Sequence, residues 1–269
     1  EFNDDGDVLS STTFDQNEGI TNYGGFEPRL SANYMLNEQT SLKLGYNRNY
    51  QYIHLLTNAT ASTPTDVWVL SSNNIKPQIA DQVSLGLFRN FKDNAYETSV
   101  EVYYKDMQNV IDYRNGADIF FNEQLEGELL SGDGEAYGVE FLVRKITGKL
   151  TGWASYTLSR TFRQIDGING GEKFPARQDR IHDLSVVLLY QLSQKVTLSA
   201  NFVYYTGDAV TYPVGRYVVD GNVVPLYQDR NAGRLPDYHR LDLGVVLQGK
   251  RSKRFESDWV FSLYNAYGR

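Results

Sequence analysis

Apolar and polar residues alternate along most of this chain with a period of two. In "KVTLSANFVYY" (195–205) one row holds Val196, Leu198, Ala200, Phe202 and Tyr204, and the row between holds Thr197, Ser199, Asn201 and Val203. Successive strand side chains point to opposite faces, so this is a strand with one dry face and one largely wet face. The same unit recurs. "RLSANYML" (29–36) and "TSLKLGYNRNYQYIHLL" (40–56) flank a polar turn, as do "DQVSLGLFRNF" (81–91) and "AYETSVEVYYKDMQNVIDY" (95–113). "AYGVEFLVRKI" (136–146) and "LTGWASYTLSRTF" (150–162) form a third hairpin. "RIHDLSVVLLYQL" (180–192) with the opening strand forms a fourth, and "YHRLDLGVVLQ" (238–248) with "DWVFSLYNAYGR" (258–269) a fifth.

The pattern predicts about ten strands in five hairpins, with short turns at one end and long loops at the other. Residues 1–28 are polar and turn-rich and read as an irregular segment; 29–269 carry the strands. Several strands exceed the usual ~5–6 residues of soluble sheets, and nearly all supply the ~9–11 residues that cross a bilayer at a tilt. Charges stand well inside the wet rows (Lys43, Glu97, Glu101, Glu140, Arg144, Asp242), and tyrosines recur near the ends of the dry rows (Tyr34, Tyr46, Tyr104, Tyr137, Tyr190, Tyr204). Alternation, unequal connections, aromatic girdles and a polar interior describe an all-β, antiparallel transmembrane barrel. A soluble sandwich or a surface adhesin also gives alternation and turns. Strand length and the asymmetry of the connections favour lipid as the solvent of the dry face.

Composition sharpens this. The chain has 269 residues with Tyr 20, Phe 13 and Gly 23, against Cys 0. Tyrosine is favoured in strands and at membrane interfaces. The missing cysteines exclude disulfides and thiolate metal sites. A net charge of -7 with both signs interspersed gives no nucleic-acid surface. Apolar runs such as "VVLLY" (186–190) are far shorter than the ~20 residues of a membrane helix. The opening "EFNDDGDV" reads like the middle of a longer chain.

Specific words then carry a resemblance. "GGFEPRLSANYMLNEQTSLKLGYNRNYQYIHLL" (24–56), "FPARQDRIHDLS" (174–185), "YTGDAVTYPVGRY" (205–217), "AGRLPDYHRLDLGV" (232–245) and "FSLYNAYGR" (261–269), in this order, resemble the barrel of TonB-dependent outer-membrane receptors, especially those of the Bacteroidota. The resemblance implies an importer of a scarce ligand in the bacterial outer membrane. It implies a 22-stranded barrel filled by a plug, and energy drawn from the proton-motive force through the TonB–ExbB–ExbD system. It implies no chemistry on the substrate and no cofactor. Strand parity then places 258–269 as the last strand but one and 29–36 as about the twelfth. The chain is expected to be the C-terminal part of such a barrel, with the plug absent from it. The ligand stays open among a metal chelate, a vitamin, a glycan and a peptide, as does a surface lipoprotein partner.

No G-x-S-x-G elbow or Gly-rich phosphate loop is present. "GDGEAYG" (132–138) has the wrong spacing for a nucleotide fingerprint, and "NDDGD" (3–7) lacks the calcium-loop pattern. The cluster Asp179, Arg180, His182, Asp183 invites a barrel-rim enzyme as an alternative, but it also reads as an ion-paired strand start. Ligand contacts are expected among loop aromatics and arginines: Tyr50, Tyr52, Trp68, Arg177, Tyr205, Tyr212, Arg216, Tyr217 and Tyr227. No catalytic residue and no metal ligand is assigned.

Overall fold

A computed structural model describes the chain apart from residues 1, 3–5, 7, 14, 16–18, 58–65, 120–121, 252–254 and 269. Ten long strands follow one another in a single antiparallel sheet. They are β1 (Arg29–Asn37), β2 (Thr40–Gln51), β3 (Gln78–Phe91), β4 (Tyr96–Tyr113) and β5 (Leu129–Lys145). The series continues with β6 (Leu150–Gln164), β7 (His182–Gln191), β8 (Val196–Tyr205), β9 (Tyr238–Arg251) and β10 (Glu256–Leu263). Each pairs with its neighbours in sequence, and β1 and β10 are the two edges.

Register converts the alternation into two surfaces. Tyr34, Leu42, Leu87, Val100, Phe141, Tyr156, Leu184 and Tyr204 stand opposite one another in succession from β1 to β8. The row on the other face reads Lys43, Gly86, Glu101, Glu140, Thr157, Asp183, Tyr205, Tyr238. On the first face Leu44, Leu85, Val102 and Val143 lie exposed and uncovered. Such a surface on a water-soluble protein would be an aggregation liability; against lipid it is at home. Above the apolar band the tyrosine hydroxyls find polar partners. Tyr46 donates to Asp81 at 2.7 Å, and Tyr204 donates to Asp237 at 2.7 Å. This is the amphipathic behaviour of an interfacial girdle.

The turns are tight for local reasons. Asn37 Oδ1 accepts the Gln39 N–H at 2.9 Å, and Ser193 Oγ accepts the Lys195 N–H at 3.2 Å. Lys92, Asp93 and Asn94 all take positive φ between β3 and β4.

Four boundaries differ clearly from the sequence expectation. The second strand stops at Gln51, not near 56; β3 starts at Gln78, not 81; β5 starts at Leu129 rather than 136; and β10 ends at Leu263, not at 269. The stretch 53–57 leaves the sheet and pairs with 66–70 as a separate hairpin (Leu55 opposite Trp68). The last long loop also carries a hairpin, 213–219 with 222–227. Most of the acidic stretch 3–7 and part of the last turn lie outside the described residues.

Single cysteines test the two ends. An impermeant maleimide should label a cysteine replacing the exposed Asn222 on intact cells, but should reach cysteines replacing Glu38 or Gln194 only after the outer membrane is broken. Equal labelling of both sets would mean that the sheet does not cross a membrane. Asn169, another loop position, is a poor choice, because its side chain is half-buried and bonded to Arg230.

Candidate functional site

Four long loops, 52–77, 114–128, 165–181 and 206–237, leave one end of the sheet, and buried charge holds the last three together. Asp112, near the end of β4, accepts from Arg163 of β6 at 3.2 Å and from Arg230 of the last loop at 3.0 Å. Arg230 also donates to the Tyr113 carbonyl at 2.9 Å and to Asn115 Oδ1 at 3.0 Å. Its backbone N–H donates to Asn169 Oδ1 at 2.7 Å. One arginine therefore joins three loops that are distant in sequence. A second anchor is Asp179, with no exposed surface, which accepts the Thr161 N–H at 2.6 Å and is ion-paired with Arg160 and Arg234. Apolar packing supports both: Val110, Ile165, Ile168 and Phe174 form one core cluster against Met107 and Leu130.

Above these anchors the loops enclose a cavity of about 610 Å³. Its polar wall comes from Asn115, Asn169, Thr211, Gln228 and Arg230, and its aromatic wall from Tyr113 and Tyr227. The volume lies inside the ~300–1,000 Å³ range of small-ligand sites. Amide and hydroxyl groups beside tyrosine rings bind polar molecules by hydrogen bonds and ring stacking. Closer to the wall, a cavity of about 210 Å³ is lined by Leu55, Asp112, Arg163, Arg177, Gln178 and Asn231.

The sequence-derived candidates separate. Tyr227 lines the large cavity and Arg177 the small one. Tyr50 and Tyr52 stack on each other at 6.3 Å at the end of β2. Trp68 is exposed on the first loop hairpin. Tyr205 is a wall residue, stacked on Tyr238 at 4.9 Å beneath Arg180 at 4.1 Å. Tyr212 donates to the Arg234 carbonyl at 3.2 Å, and Arg216 and Tyr217 lie exposed on the projecting hairpin of the last loop. Sequence reasoning did not find Asn115, Asn169, Arg230 or Asn231, which are separated by up to about a hundred residues and share no local motif.

The Asp/His cluster does not assemble as an acid–base pair. Asp179 is sealed between arginines, and His182 Nδ1 is 2.8 Å from the Tyr156 hydroxyl. Asp183 follows His182 within β7 and so points to the opposite face. No group of metal-ligating side chains occurs among the described residues.

The hairpin 53–57/66–70 carries a proton-sensitive group. His54 is buried with its Nε2 3.2 Å from Ser71 Oγ, and burial lowers its pKa below the usual 6.5. The opened hairpin therefore takes up a proton that the docked one does not. Docking is strongest above the unfolded pKa and weakens as pH falls below it. Proteolysis of the 52–77 loop should accelerate between pH 7.5 and pH 5 and lose that dependence in His54→Gln. A rate unchanged by pH in the parent would contradict this.

The model of the family described as "TonB dependent receptor-like, beta-barrel" matches residues 2–267. Solved structures share the fold. The ferric-catecholate import receptor Fiu of Escherichia coli K12 aligns with a TM-score of 0.56 at 16% identity, over 89% of this chain and 30% of that one. The ferripyoverdine receptor of Pseudomonas aeruginosa gives 0.55 at 16%, over 84% and 27%. The FrpB iron transporter of Neisseria meningitidis gives 0.55 at 11%, over 90% and 35%. The chain thus spans about a third of the length of these structures. A comparison with curated proteins gives no match.

Proposed function

The chain belongs to the TonB-dependent receptor-like β-barrel family of the bacterial outer membrane, and from that premise we propose that it is the wall and ligand basin of an importer. A scarce ligand settles between the loops; the TonB–ExbB–ExbD system then drives rearrangement of a plug in the lumen, and the ligand passes without chemistry. The residues act by binding and orienting: Tyr227 offers a ring face, and Asn115, Asn169 and Gln228 offer amide donors and acceptors. The observation that carries this reading is the loop cavity of about 610 Å³ seated over the wet face of a lipid-facing wall.

Two features support the finer parts. Glu101 and Glu140 stand directly opposite each other on the wet face, with Asp183 further along the row. Like charges so placed repel, so this wall suits a lumen occupant that brings cations, as a plug surface would. β1 and β10 are unpaired edges, and a sheet in lipid must close. The wall is therefore read as a portion of a 22-stranded barrel, its C-terminal part, with 1–28 in an extracellular segment. The Bacteroidota character of its sequence words, and a surface lipoprotein as a further partner, belong to the same proposal. The exposed candidates Tyr52, Trp68, Arg216 and Tyr217, with the half-buried Tyr50, are proposed as outer contacts of this basin.

The test is nutritional. Deleting the receptor from its host should abolish growth on one limiting source among ferric chelates, vitamins, oligosaccharides and peptides, and deleting TonB should abolish the same growth. Tyr227→Ala combined with Gln228→Ala should weaken uptake at least tenfold while the receptor still reaches the membrane. Loss of surface adhesion with every growth condition intact would contradict the importer.

A further inference from the structure

The apolar face of the wall carries cations where it meets the short turns. Across β3, β4 and β5 the last outward row before the turns is Phe91, Tyr96 and Lys145. The next row is Arg89, Thr98 and Val143, and the one beyond it, Leu87, Val100 and Phe141, is wholly apolar. Arg89 and Lys145 therefore stand on the lipid-facing side itself, at the margin of the apolar band. Lys92 joins them from the β3–β4 turn, where Lys92, Asp93 and Asn94 bend the chain with positive φ.

These three cations gather around two rings. The Arg89 guanidinium lies 4.8 Å from the Phe91 ring centre. The Lys92 and Lys145 ammonium groups lie 5.5 and 5.9 Å from the Tyr96 ring centre. Lys145 Nζ also donates to the Leu150 carbonyl at 2.6 Å, which leaves the rest of its N–H donors free. None of the three makes an ion pair among the described residues. Asp93 on the same turn is the carboxylate beside them, and Glu97 points to the wet face, where Arg144 holds it. Three cations against Asp93 leave this margin positive.

The loop end of the same face is a second, independent observation. There Arg48 is held by Asp81 at 2.7 Å, Lys173 by Glu135 at 3.0 Å and Arg160 by Asp179 at 3.3 Å. Those cations are neutralised within the protein; Arg89, Lys92 and Lys145 are not. Aromatic rings at the hydrocarbon boundary, with long cationic side chains reaching past them, are placed to meet headgroups. Ammonium and guanidinium donors with no carboxylate partner suit a phosphate.

We propose that Arg89, Lys92 and Lys145 form a site for the phosphate of an anionic glycerophospholipid in the inner leaflet of the outer membrane, with Phe91 and Tyr96 against its upper acyl chains. The inner leaflet follows from the turns facing the periplasm. The proposal does not use the importer reading. It rests on the lipid-facing wall and on the orientation that the cysteine labels test.

The experiment titrates the purified full-length receptor, in a neutral detergent, with phosphatidylglycerol and with phosphatidylcholine of the same chains, and follows binding by native mass spectrometry. The first phosphatidylglycerol should bind at least tenfold more tightly than the first phosphatidylcholine. Raising salt to ~1 M, where the Debye length is about 3 Å, should remove most of that preference in the unmodified receptor. Arg89→Gln, Lys92→Gln and Lys145→Gln together should erase it. Arg144→Gln removes the same kind of charge one residue away on the opposite face, and should keep it. Equal binding of the two lipids, a preference indifferent to salt, or equal loss in the triple variant and Arg144→Gln would overturn the site. Displacement of the lipid by millimolar inorganic phosphate would show a free-anion site instead. Labelling of Glu38→Cys on intact cells would put the cluster in the other leaflet and overturn the choice of lipid.

Discussion

Ala200→Arg should cost about 2–4 kcal/mol of folding in a bilayer, whereas Asn201→Arg should cost close to nothing. The two positions are adjacent at the middle of β8 and differ only in face. Ala200 lies between Leu188 of β7 and Leu243 of β9, in an apolar row. A guanidinium there must sit in hydrocarbon or drag water to it. Asn201 lies between Val187 and Asp242 on the wet face, where an arginine finds a carboxylate opposite. Nearer the turn, Leu198→Arg should cost less than Ala200→Arg, because the penalty falls toward the interface. The heat-modifiable fraction of the full receptor after refolding into lipid vesicles gives the ranking. Equal penalties at Ala200 and Asn201, or the reverse order, would contradict the assignment of faces.

The second large effect is expected at Asp179. Removing one partner of a buried ion pair costs about 3–5 kcal/mol, because the other charge is left without compensation. Asp179→Ala leaves Arg160 and Arg234 facing each other and frees the Thr161 N–H. Loops 165–181 and 206–237 should then open together, and tryptic cleavage within them should accelerate at least a hundredfold while the wall stays intact. The control is Glu97→Ala. That residue pairs with Arg144 at 3.4 Å, with side chains 40% and 55% exposed. Exposed pairs contribute about 0–1 kcal/mol, so little should change. Cleavage of both variants at the parental rate would show that the buried charge does not hold the loops.

The wall was legible because its information is local. A period of two over about ten residues, repeated and punctuated by turns, needs no tertiary knowledge, and the rows from Tyr34 to Tyr204 follow from it once register is set. The loops were less legible, for differing reasons. "VVDGNVV" holds an Asp-Gly pair between valines, and Asp220 and Gly221 do take positive φ at a hairpin tip. That signal was present and is a standard one. The stretch 53–57 reads in the sequence as the tail of β2, because nothing local marks the point after Gln51 where the chain leaves the sheet. The bond between Arg230 and Asp112 spans 118 positions; such a contact exists only after the loops have folded over the lumen. Tyr205, a candidate as an aromatic, is packed into the wall, whereas Arg177, a candidate as a loop arginine, lines a cavity.

The central claim is that one face of this sheet meets lipid and the other an aqueous lumen. Spin labels placed singly at each position from 196 to 204 of the full receptor in bilayers test it most directly. Collision with oxygen, which partitions into hydrocarbon, should peak at 198, 200 and 202. Collision with a water-soluble nickel chelate should peak at 199, 201 and 203. A flat profile, or the opposite phase, would contradict a lipid-facing barrel wall.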